Sequence, residues 1–209
     1  MITVFKLTDH FNGDVLTYNG IELKLNLYFD VVLRSYELMK DDFFNEYDKA
    51  DIYLRMFVLN YEDIKGINIF EKNKLITIIF DQFINPKETN KEIKSDEKLY
   101  DFQIDAELIY ASFFMDYGMD LIDQQGQLHW YKFLALFNGL TDKTPFKQVL
   151  SIRTTEIPAP TKHNQKERDR IIKLKQLYRI AKDETVEGLD AKLDSFAATL
   201  RPFGGDVNV

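Results

Sequence analysis

The sequence predicts a mainly α fold: a helical core with a small N-terminal β-hairpin and a C-terminal helical arm. Three observations point there. Apolar residues recur at helical spacing through most of the chain. The alternating stretch is short and bracketed by turn residues. Finally, Ile157-Pro158-Ala159-Pro160 breaks the helical pattern near the end, because each proline denies its predecessor a helical conformation. With 209 residues, 45% hydrophobic and 14% aromatic, the chain can build a full core.

Taken in order, Asn12-Gly13-Asp14 and Asn19-Gly20 flank a run from Val15 to Tyr18, and Ile21, Leu23 and Leu25 then alternate with Glu22, Lys24 and Asn26. This is a hairpin signature. From Leu27 the period turns helical, with Val31, Tyr36, Leu38 and Met39 on one broad face. Asp48 suits the N-cap of a helix through Leu54 and Phe57, and a further helix is expected from Glu71 to Ile84, ended by Pro86. Residues 85–99 are polar and charged and read as a surface linker. Beyond it Ile104, Leu108, Ala111, Met115 and Met119 recur at helical spacing, widened by Phe113 and Phe114. Trp130 to Gly139 forms the next helix, with glycine as its C-cap, and Thr144-Pro145 starts another that ends near Arg153. Trp130, Phe133, Leu134 and Phe137 are expected to pack against the 104–118 helix.

The expected division is a core domain over residues 1–155, carrying the hairpin, and residues 156–209 as a hinge, a helical arm and a short tail. Residues 162–182 hold eight Lys or Arg against Glu167 and Asp169, whereas residues 183–209 hold six acids against Lys192 and Arg201. Ile171, Leu174, Tyr178, Leu189, Leu193 and Phe196 are too many apolar positions for a helix standing in solvent, which makes them candidates for partner binding. The alternative is that the arm folds back on its own core.

Chemistry is sparse. Without cysteine there is neither disulfide scaffold nor thiolate site. No apolar run approaches the roughly 20 residues that cross a bilayer, and the N-terminus lacks the order of a signal peptide. His10, His129 and His163 show no zinc spacing. Asp116, Asp120 and Asp123 share one helical face, which could hold a divalent cation but more commonly forms a solvated acidic surface. No serine faces a base, and no glycine loop cradles phosphate. The reading is no enzyme, no cofactor and no catalytic or metal residue. A net charge of −7 argues against general nucleic-acid binding, and the basic 162–182 segment offers one Tyr for stacking.

Residues 100–113 (YDFQIDAELIYASF), 117–121 (YGMDL), 129–133 (HWYKF), 136–140 (LFNGL) and 151–153 (SIR) resemble a family of long-tailed phages and prophages of Gram-positive bacteria, similar to the tail-assembly chaperones encoded before the tape-measure protein. The resemblance is densest over residues 100–155. Its signature positions are Tyr117, Asp120, His129, Trp130, Phe133, Gly139, Leu140 and Arg153. It implies a non-enzymatic chaperone of the host bacterial cytoplasm, absent from the mature virion, that binds the tape-measure protein and keeps it extended for tail-tube polymerisation. The implied partners are that protein, further copies of this chain and the major tail protein, with no membrane. A structural tail or connector subunit is the competing class, and a nucleic-acid-binding phage protein a third.

Overall fold

The computed structural model describes residues 14–85 and 99–180. Among them are seven α-helices and one two-stranded antiparallel sheet, the mainly helical fold with an N-terminal hairpin that the sequence predicts. They fall into two compact units: residues 14–85 with 126–131, and residues 99–125 with 132–180.

The first unit opens with the hairpin. Strands β1 (Asp14–Tyr18) and β2 (Ile21–Leu25) pair in register, Tyr18 opposite Ile21. Asn19 and Gly20 have φ of 48° and 81°. Two successive positive φ values define the tight turn whose twist matches the strands, and Asn-Gly tolerates them best. Helix α1 (Phe29–Lys40) begins two residues later than Leu27, which instead bonds the Trp130 N–H through its carbonyl. Helix α2 spans Glu46–Phe57. Its N-cap is Asn45, whose side chain accepts from the N–H groups of Tyr47 and Asp48. Asp48 lies inside the first turn, bonded by the Asn45 amide, and both residue types satisfy capping preference equally, so composition could not separate them. Helix α3 (Ile69–Ile79) starts two residues before the expected Glu71, with Asn68 and Glu71 forming a reciprocal capping box. It does not run on as α-helix to Ile84: Phe80–Ile84 widens into a π turn closed by Asn85 N–H to the Phe80 carbonyl. Pro86 lies outside the described residues.

Residues 126–131 complete this unit. The Phe29 N–H donates to the Leu128 carbonyl at 3.0 Å and Trp130 N–H to the Leu27 carbonyl at 2.8 Å, a short antiparallel bridge. Trp130 is buried; its Nε1–H donates to the Ile84 carbonyl at 2.9 Å and its ring meets Tyr36 edge-on. The bonds that hold it are thus to the chain before the linker, which its position in the sequence did not suggest. Around it Leu23, Leu54, Phe57, Leu75, Ile79 and Phe80 form the core.

The second unit is built on aromatic rings. Helix α4 spans Ala106–Tyr117, α5 Trp130–Asn138, α6 Pro145–Thr154 and α7 Gln165–Leu177. Trp130 and Tyr131 of α5 belong to the first unit and the rest of the helix to the second. Phe113 stacks on Phe133 at 5.3 Å, Phe133 on Phe137 at 6.0 Å, and Phe137 meets Phe146 at 4.8 Å, with Tyr100 and Phe102 closing the cluster. Phe133 therefore packs against α4 as expected, Phe137 joins the same cluster through Phe133 and Phe146, and Leu134 is half-buried.

The core face of α4 is not the one that periodicity selected. Ile109, Ser112 and Phe113 are buried, whereas Ile104, Ala111 and Met115 are exposed. The physical reason is that α4 is apolar on nearly every side, so its pattern has no polar face to point outward. Pro145 occupies the first position of α6 after Thr144, as predicted, but no Thr144 side-chain cap forms. The hydroxyl of Ser112 accepts the Phe146 N–H instead, at 3.0 Å, while donating to the Leu108 carbonyl.

Helix α7 lies beside α6. Arg153 Nε donates to the Tyr178 carbonyl at 2.7 Å, Lys175 Nζ to the Thr155 carbonyl at 2.8 Å, and Arg168 to the Pro158 carbonyl. None of its residues is fully buried: Ile171, Leu174 and Tyr178 are half-buried and Leu177 is exposed. Leu189, Leu193 and Phe196 lie outside the described residues.

Candidate functional site

Helix α4 carries the most unusual surface of the second unit. Phe114 and Met115 are 58% and 57% exposed, and Ala111 one turn earlier is also exposed. Positions 111, 114, 115 and 118 fall on one side of a helix. Gly118 ends it in the left-handed region at φ 61°, its N–H bonded to the Phe114 carbonyl at 3.0 Å and the Met119 N–H reaching back to Phe113. A Cβ at Gly118 would meet no atom within 4 Å, so the surface stays open beyond Met115. Ile122, in the turn that follows, is 63% exposed. Large apolar side chains exposed together on one helix face mark contact surfaces.

The charge carried by this segment has one sign. Residues 99–125 contain Asp101, Asp105, Glu107, Asp116, Asp120 and Asp123 and no Lys or Arg. Asp105 is neutralised by Arg153. Among the described residues Asp116 accepts from Thr141, through N–H at 2.7 Å and hydroxyl at 3.0 Å. Asp120 accepts from the Tyr110 hydroxyl at 2.9 Å and the Ile122 N–H at 2.8 Å. The Tyr110 bond, then the Ile122 bond, lower the Asp120 pKa, so the carboxylate stays ionised. Asp116 and Asp120 thus have donors but no compensating cation among the described residues. No group of three His, Asp or Glu there is arranged to hold a metal ion.

The signature positions build and stiffen this surface or the first unit. The Tyr117 hydroxyl donates to the Leu136 carbonyl at 2.8 Å. Gly139 makes room for it: a Cβ there would lie 3.1 Å from that hydroxyl. Gly139 does not adopt a positive φ, so close approach, not left-handed capping, is what requires glycine here. Leu140 and Phe133 are core residues. Arg153 forks onto both oxygens of Asp105 at 2.7 and 2.8 Å and also donates to the Leu99 carbonyl, tying the approach to α4 onto α6 and the end of α7. In the first unit His129 stands as the residue before α5, and its Nδ1 accepts the Tyr131 N–H at 3.1 Å. That leaves Nε2 to carry the proton toward Asp14 Oδ2, 2.7 Å away. The histidine caps a helix and holds β1.

The first unit adds a groove of about 530 Å³ bordered by Val31, Leu38, Ile52 and Met56, with Arg34 and Glu37 at its rim, so its charge is mixed. Its Phe43 projects almost fully exposed, edge to face with Phe44.

Sequence reading singled out Asp120 and Tyr117 but missed Phe114, Met115 and Ile122 as surface, because apolar residues at helical spacing ordinarily mean core. The cation-free run from 99 to 125 is a signal written in the residue order.

The fold defines a mainly helical protein with an N-terminal hairpin, and among the described residues no helix is long and apolar enough to cross a membrane. A family-level sequence match over residues 7–180, described as Bacteriophage Gp15 protein, then places it: the chain belongs to the Bacteriophage Gp15 protein family. No curated protein and no solved structure matches it.

Proposed function

We propose that this protein is a non-enzymatic tail-assembly chaperone that binds the phage tape-measure protein and keeps it soluble and extended while the tail tube polymerises. The observation that carries the reading is the exposed apolar face of α4 on an anionic background, in the segment where the resemblance to such chaperones is densest. A long helical client with apolar faces aggregates when unprotected. Many weak, repeated contacts would cover it, and multivalency would turn them into firm coating. Further copies of this chain, and the major tail protein during hand-over, are the other partners in this reading. The chaperone would act in the host bacterial cytoplasm and be absent from the mature virion.

Co-expression tests it. The tape-measure protein of the same phage should be insoluble alone and soluble with this chain, and purified virions should lack the chain. Its stable presence in virions would mark a structural tail subunit instead, and salt-sensitive DNA or RNA binding a nucleic-acid-binding protein. An unchanged, insoluble tape-measure protein would sink the proposal.

A further inference from the structure

We infer that the Ala111–Phe114–Met115–Gly118 face of α4, extended by Ile122, is a groove-free docking face for an amphipathic helix whose apolar stripe is flanked by Lys or Arg. The inference deepens the chaperone reading and rests on it for the identity of the client, which it describes as helical segments of that chemistry.

Two features select the occupant. The first is shape: an α-helix of 12 residues, about 18 Å long, displays apolar side chains at helical spacing on the side it does not bury. Such a strip is matched by the stripe of a second helix, as in helix recognition generally. The second is charge. Glu107, Asp116 and Asp120 line the same element and its C-terminal turn without a cationic partner among the described residues, and no Lys or Arg occurs from 99 to 125. A second copy using the same face would bring these carboxylates against one another, which disfavours self-pairing. A helix with cationic flanks removes that repulsion and covers the apolar strip together. Gly118 leaves the C-terminal end of the strip unobstructed.

The probes are two synthetic amphipathic helical peptides with one Leu stripe, one flanked by Lys and its twin by Glu, titrated against the full chain. The Lys peptide should bind, weaken as salt rises, and bind at least about tenfold more tightly than the twin, roughly 1.4 kcal/mol. The double variant Phe114→Ala/Met115→Ala, at exposed positions, should keep its circular dichroism and lose about tenfold in affinity for the Lys peptide. If that variant fails to fold, Glu107→Gln/Asp120→Asn serves: it should weaken the Lys peptide and tighten the Glu twin, narrowing the difference between them. Equal binding of both peptides, absence of binding, or wild-type affinity in the variants overturns the inference. So does a dimer that Phe114→Ala/Met115→Ala dissociates, since the occupant would then be a second copy. A wild-type chain that solubilises the tape-measure protein while the alanine variant does so equally well removes this face and leaves the chaperone reading. Peptide recognition as expected, with no effect on the tape-measure protein, removes the client and leaves the face.

Discussion

Asp51 sits where α2, the turn Tyr61–Asp63 and α3 converge. The Tyr61 hydroxyl donates to it at 2.5 Å, Arg55 at 3.2 Å, and Lys72 closes the ion pair, with the Arg55 guanidinium lying over the Tyr61 ring. Burial pushes the Asp51 carboxyl up, but the bonds from Lys72, Tyr61 and Arg55 outweigh it and hold the pKa at about 2. A depressed folded pKa stabilises above the unfolded value, about 3.9, and the contribution is lost as pH falls through the folded value. Asp51→Asn should therefore cost about 1–2 kcal/mol at pH 7 after allowance for partial exposure. Urea midpoints should show the gap between wild type and variant closing as pH drops from about 4 toward 2. A gap independent of pH would mean that the network is not ionic. Trp130→Ala removes a buried ring and the hydrogen bond to Ile84, and should cost about 3–5 kcal/mol in denaturant unfolding. An unchanged midpoint would contradict its packing. Arg153→Met leaves the Asp105 carboxylate buried without its partner; a loss of about 3–5 kcal/mol is expected, and Asp105→Asn in the same background should recover part of it.

Among the elements, Gly118 isolates a backbone effect. Its φ of 61° disfavours any Cβ, yet a Cβ there would touch nothing. Gly118→Ala should thus destabilise by about 1 kcal/mol through conformation alone, with helix content nearly unchanged. A neutral result would place the residue in a different conformation in solution. The hairpin and the start of α6 were legible from a few residues, because Asn19-Gly20 and Thr144-Pro145 act through local φ preferences. Helix ends that depend on competing caps were not. Asn45 and Asp48 have the same capping chemistry three residues apart, and only the path of the chain chooses between them. The outward face of α4 was equally illegible, because a helix apolar all round carries no directional signal.

For the whole molecule, truncation separates an arm from an integral part of the fold. No residue of α7 is fully buried, two side-chain bonds to carbonyls join it to the C-terminal turn of α6, and a third joins it to Pro158 in the connection. Truncation after Glu156 should leave a soluble, cooperatively folded protein with a lower melting temperature. Aggregation without a soluble core would make α7 an integral part of the fold.

The sequence by itself determined what local chemistry controls: a helical chain with one tight hairpin, a helix begun at Thr144-Pro145, and a phage lineage carried by its packing motifs. Its cation-free stretch was likewise written in the residue order. Only tertiary structure decided which face of α4 meets water, that Ser112 rather than Thr144 caps α6, and that His129 bonds Asp14, 115 residues away. These outcomes depend on contacts between residues far apart in the chain, where many arrangements satisfy the same local preferences and close packing selects one.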